Sequence, residues 1–121
     1  MTPSPLWHAL IRTHHITSRR KVAHLRKAAD KYEVWALLRS GGCPGIMYCK
    51  GSEEGVREWV GVVQGLRYKD FRLVAKPAKI ESRPSLEDRP GLFEMAGVSE
   101  FAKAMKNRGN SSWFESAMGF S

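Results

Sequence analysis

At 121 residues with 42% hydrophobic side chains, the chain has enough apolar material for one domain with one core and too little for two. Twenty Lys and Arg against twelve Asp and Glu leave a formal charge of +8, which favours contact with a polyanion, although an acidic protein surface or an anionic membrane would also suit it. Cys43 and Cys49, with five residues between them and no His or Cys at a zinc-ligand spacing nearby, imply neither a metal site nor a disulfide framework, and no stretch approaches the roughly 20 apolar residues of a membrane span.

The opening MTPSPLWHAL lacks the basic start and long apolar centre of a secretory signal, so the expectation is a soluble intracellular protein of nucleus or cytoplasm. A mitochondrial address is the alternative, because Arg12, Arg19 and Arg20 occur with no acidic residue before Asp30. From Ala9 to Ile16 the pattern predicts a strand, with Ile11 and Thr13 on one face and Arg12 and His14 on the other. Thr17 and Ser18 offer an N-cap, and Val22, Leu25, Ala29 and Tyr32 recur at helical spacing, predicting a helix over 19–32 whose other face carries Arg20, His24, Lys27 and Lys31. Val34–Arg39 and Gly45–Lys50 read as strands flanking the turn Ser40-Gly41-Gly42-Cys43-Pro44, a hairpin.

Ser52 can cap a second helix with Glu53 and Glu54 in its first turn and Val56, Trp59, Val60 and Val63 along one side, ending near Gly65. Tyr68–Lys76 alternates as a fourth strand. The order βαββαβ predicts an α+β, ferredoxin-like sandwich: two helices on one face of a four-stranded antiparallel sheet, the other face open. On this reading one domain comprises a core over 9–76, an exposed connector over 77–91 rich in proline and charge, and a C-terminal helical extension over 92–121. In the extension Phe101, Ala104 and Met105 share a helix face before Gly109, and Ser112 with Glu115 makes a capping box for a short helix holding Trp113, Phe114 and Met118. These aromatics need a surface to bury against, and the open sheet face is one.

The runs HHITSRRK, PGIMYCKG, GLRYKDFRLVAKP and GLFEMAGVSEFAKAMKNRGNSSWFESAMGF together resemble the C-terminal domain of the third pre-mRNA-processing factor, a domain similar to one that follows the RWD domain in several eukaryotic proteins. The resemblance extends from about Leu10 to Phe120. It implies a ferredoxin-like fold with added C-terminal elements that binds single-stranded small nuclear RNA in the splicing factor. The chain lacks a counterpart of that factor's duplex-binding segment and of the RWD domain, and Lys50 stands where relatives often carry an acidic residue. A stand-alone relative of this kind points to a different ribonucleoprotein.

Arg12, His14, Arg39, Tyr48, Lys50, Arg72 and Lys76 fall on the expected open face, mixing cations for phosphates with a ring for stacking on bases. Arg19, Arg20 and Lys21 cluster at a helix start, where free backbone N–H groups also attract phosphate; Lys27 continues that basic face. For each cation the alternative is an ordinary solvated surface charge. His14 and His15 invite an acid–base reading, yet neighbours on a strand point to opposite faces, so one ring is expected to pack at the sheet–helix interface and the other to face outward. Trp35, Trp59, Trp113 and Phe114 read as core. The expectation is a non-enzymatic RNA-binding module, without metal or other cofactor, whose partners are RNA and the proteins of a ribonucleoprotein, with no membrane and no small-molecule substrate. The alternatives are a protein-interaction module without RNA contact and a small ribonuclease using His14 or His15.

Overall fold

A computed structural model describes residues 5–80 and 88–119. The fold is mixed α+β: β1 (Trp7–Thr13), α1 (Arg19–Lys31), β2 (Trp35–Arg39), β3 (Gly45–Gly51), α2 (Glu53–Gly65), β4 (Arg72–Lys79), β5 (Gly91–Met95), α3 (Val98–Asn107) and α4 (Ser111–Met118). All five strands form one sheet in the order β4-β1-β3-β2-β5. The first four strands pair antiparallel, and β5 joins β2 in parallel with Trp35 opposite Gly91 and Arg39 opposite Met95. Within this sheet β4-β1-β3-β2 has the βαββαβ connectivity of the ferredoxin-like arrangement.

The first two helices begin where their caps place them. Ser18 Oγ accepts from the Lys21 N–H at 3.2 Å and Ser52 Oγ from the Gly55 N–H at 3.0 Å, each satisfying a donor that the first turn would leave orphaned. Val22, Leu25, Val56, Trp59 and Val63 then bury against Ala9, Ile11 and Met47 of the sheet. Trp59 is fully buried, and its indole N–H donates to the Leu25 carbonyl at 3.1 Å, tying α2 to α1.

Three expectations are corrected. The sheet has five strands rather than four, because GLFEM, assigned to a helical extension, pairs along β2. The stretch 77–91 is not wholly a connector: β4 runs on through Pro77 to Lys79 and β5 begins at Gly91, while residues 81–87 lie outside the described residues. Pro77 is tolerated because β4 is an edge strand, where a missing N–H breaks no second ladder. The second sheet face is also closed. Phe101, Ala104 and Met105 of α3 and Phe114 and Met118 of α4 pack on Leu10, Trp35, Leu37, Ile46 and Tyr48.

That second layer explains the burial of both sides of the central strands; every residue of β3 is buried. The capping box expected from Ser112 and Glu115 is not what starts α4. Asn110 is the N-cap, and its side-chain amide turns inward to donate to the Tyr48 hydroxyl at 3.2 Å instead of capping the helix.

Candidate functional site

The expected RNA-binding residues separate into three groups. Tyr48 and Lys50 are interior: Tyr48 is fully buried beneath α3 and α4 and Lys50 is 5% exposed, so neither lies on an open face. The Tyr48 hydroxyl accepts the Asn110 N–H at 3.2 Å and shares a hydrogen bond with His8 Nδ1 at 3.0 Å. Lys50 pairs with Asp88, which also receives both ends of the Arg108 guanidinium at 2.9 Å. Alternation identified which residues share a face, but the cover that tertiary packing places over that face overrode the inference of exposure.

A second group is engaged on the surface. Arg19 grips Glu94 of β5 through both terminal nitrogens, at 2.8 and 2.7 Å. Arg26 and the Ser40 hydroxyl reach the same carboxylate. The hydrogen bonds from Arg19, reinforced by Ser40 and by the charges of Arg19 and Arg26, overcome partial burial and hold Glu94 down to about 2, so this ion pair persists through neutral and mildly acid pH. Lys21 sits 4.8 Å from the centre of the Tyr68 ring, a cation–π contact. Arg39 staples the β2–β3 loop, donating to the Ala96 carbonyl at 2.8 Å and the Pro44 carbonyl at 2.9 Å. Gly41 is required there, because a Cβ would come within 2.4 Å of the Ala96 oxygen.

The third group remains available. Arg12 and Arg72 stand opposite one another in the β1–β4 ladder, both are exposed, and neither has an ion pair among the described residues. Arg20 and Lys27 on α1 and Lys76 on β4 are exposed and likewise unpaired among the described residues, though they are not joined to that cleft. Arg12 and Arg72 line an open cleft of about 460 Å³ together with Thr13, His14, Cys43, Pro44, Asp70 and Phe71.

The two histidines need a correction. The strand ends at Thr13 and the chain bends at His14, so alternation no longer applies. The rings lie on one side with centroids 4.3 Å apart, and neither is packed in a sheet–helix interface: His14 is half-buried and His15 exposed. The bend is held on both sides, because the His14 N–H donates to the Lys69 carbonyl at 2.9 Å and its carbonyl accepts from the Gly45 N–H at 2.9 Å. Cys43 and Asp70, which sequence reasoning did not single out, are brought to the same place: His14 Nδ1 lies 3.7 Å from Cys43 Sγ and 3.6 Å from Asp70 Oδ2. No sequence spacing signals this, since 29 residues separate Cys43 from His14.

No helix among the described residues is long and apolar enough to cross a membrane. No family model and no curated protein sequence matches the chain. Among solved structures, one named "BlrP1 BLUF" is similar at 15% identity and a TM-score of 0.61, over 89% of this chain and 80% of that one. An acylphosphatase from Bacillus subtilis is similar at 16% identity and a TM-score of 0.47, over 74% of this chain and 98% of that one. At such identities the likeness to the first is one of fold, a mixed α+β architecture of this class, and it carries no activity to this chain.

Proposed function

We propose that the chain is a small RNA-binding module of ferredoxin-like type, acting without catalysis as a component of a ribonucleoprotein, and that it meets the phosphate backbone at the Arg12–Arg72 cleft. The observation that carries this reading is the pairing of two exposed, unneutralised guanidinium groups across adjacent strands. Like charges placed opposite one another in a ladder oppose sheet formation, and a phosphate bridging them converts that repulsion into two charge-assisted contacts. The net charge of +8 and the resemblance of the chain to the splicing-factor domain support the same partner. Relative to the sequence-based expectation, the contact surface moves from the Arg19 end of α1, where Glu94 is already bound, to the far edge of the sheet.

The reading is tested by fluorescence anisotropy with a short single-stranded RNA at several salt concentrations. Arg12→Ala plus Arg72→Ala is expected to weaken binding about tenfold or more, the scale of one charge-assisted contact, and to flatten the salt dependence by about 0.7 in log–log slope, one bridged phosphate's worth. Arg19→Ala should change affinity much less. A second reading, a protein-interaction module without RNA contact, is favoured by Phe93, which is 49% exposed on the edge strand β5. Absence of RNA binding at low salt supports that reading and removes the first.

A further inference from the structure

The cluster at the end of β1 has a chemistry that phosphate binding by arginines does not use. One donor atom each from His14, His15 and Cys43 lies within 4.8 Å of the other two. A tetrahedral zinc ion, with Zn–S near 2.3 Å and Zn–N near 2.0–2.1 Å, sets its sulfur and nitrogen ligands about 3.6 Å apart. Cys43 Sγ and His14 Nδ1 are 3.7 Å apart, so the donors already stand near the edge length of such a site. We propose that His14, His15 and Cys43 bind a divalent ion of the zinc class through two imidazole nitrogens and one thiolate sulfur, with the fourth position left to water or an anion.

Two features beside the donor set support a built site. The donors are held by the scaffold: His14 is fixed through both backbone groups, and the Cys43–Pro44 loop is fastened by Arg39 to Pro44 and Ala96. Second, the charges balance. Cys43 as thiolate and Asp70 as carboxylate supply two negative charges beside Arg12 and Arg72, so a divalent ion enters a site that does not repel it. Borderline softness and tetrahedral preference make imidazole plus thiolate a zinc-type set rather than a magnesium or calcium one.

The site is independent of RNA binding, so its test uses the full chain without RNA. Metal-free protein is titrated with Zn²⁺ by calorimetry and with Co²⁺ by absorption spectroscopy. One equivalent is expected, with a sulfur-to-cobalt charge-transfer band and the intense visible bands of a tetrahedral ion, and Zn²⁺ should slow alkylation of exposed Cys43. Cys43→Ser should abolish the charge-transfer band, and His15→Ala should lower affinity at least tenfold. His24→Ala, an exposed histidine on α1, should change nothing. The proposal is overturned by the absence of a Co²⁺ charge-transfer band together with Cys43 alkylation unaffected by Zn²⁺, or by wild-type affinity in Cys43→Ser or His15→Ala protein that circular dichroism shows to be folded.

Discussion

Asp88→Ala is expected to destabilise the protein by about 3–5 kcal/mol and to lower Tm by on the order of 10–20 °C. Asp88 lies between two cations, one more buried than itself and one about equally so: Lys50 at 4% and Arg108 at 12% relative exposure, against 10% for the carboxylate. Arg108 also lies with its guanidinium carbon 4.1 Å from the centre of the Trp35 ring, which it covers, so neither cation can reach water without unpacking that side of the sheet. Removing the acid leaves two uncompensated buried charges, the most damaging way to break such a cluster. Burial by itself raises the pKa of Asp88, but hydrogen bonds from Arg108 and Lys50, together with their charges, win and hold it below the ordinary carboxylate value.

The unfolded chain therefore binds this proton more readily than the folded one. The stabilisation is complete above the usual carboxylate range and is lost as pH falls through the lower folded value. Urea denaturation at neutral pH measures the cost, and combining Asp88→Ala with Lys50→Met should recover part of it by removing one stranded charge. A cost below about 1 kcal/mol for the single substitution would show that the two cations are not left uncompensated without Asp88.

Acidification acts through a second buried group. His8 is 5% exposed, stacks on Trp113 with ring centroids 3.9 Å apart, and shares a hydrogen bond through Nδ1 with the Tyr48 hydroxyl. Burial, and secondarily the charge on Lys50, lowers the pKa of His8 from 6.5 to about 4. Between those values the unfolded state takes up a proton that the folded state refuses, so stability declines as pH falls through this window, by about 3 kcal/mol once pH is below the folded value.

Urea midpoints measured from pH 7 to pH 4 should show this decline before the carboxylates titrate. His8→Gln, which keeps a hydrogen-bonding side chain for Tyr48 but cannot ionise, should flatten the curve in that window while leaving the loss at lower pH that belongs to Asp88 and Glu94. An unchanged slope in His8→Gln protein would locate the acid sensitivity elsewhere.

Local physics made α1, α2 and the β2–β3 hairpin legible without coordinates. Ser18 and Ser52 are capping residues followed by apolar stripes, and a Gly-Gly-Cys-Pro turn between two apolar runs has few other solutions. Phe101, Ala104 and Met105 were likewise readable as one buried helix face. Period-two and period-3.6 patterns report which side chains travel together, and that information is complete within a dozen residues.

Which face is covered is decided by distant segments. Tyr48 and Lys50 became interior because α3 and α4 close over the sheet, and β5 became a strand because Trp35–Arg39 offered it a free edge, which a five-residue run cannot announce by itself. The sequence by itself determined the charge, the helices and the βαββαβ order. Only the tertiary structure decided where the cations remain free and that His14, His15 and Cys43 meet, because a strand ending at Thr13 and a hairpin loop stapled by Arg39 are brought together by long-range pairing that no local spacing encodes.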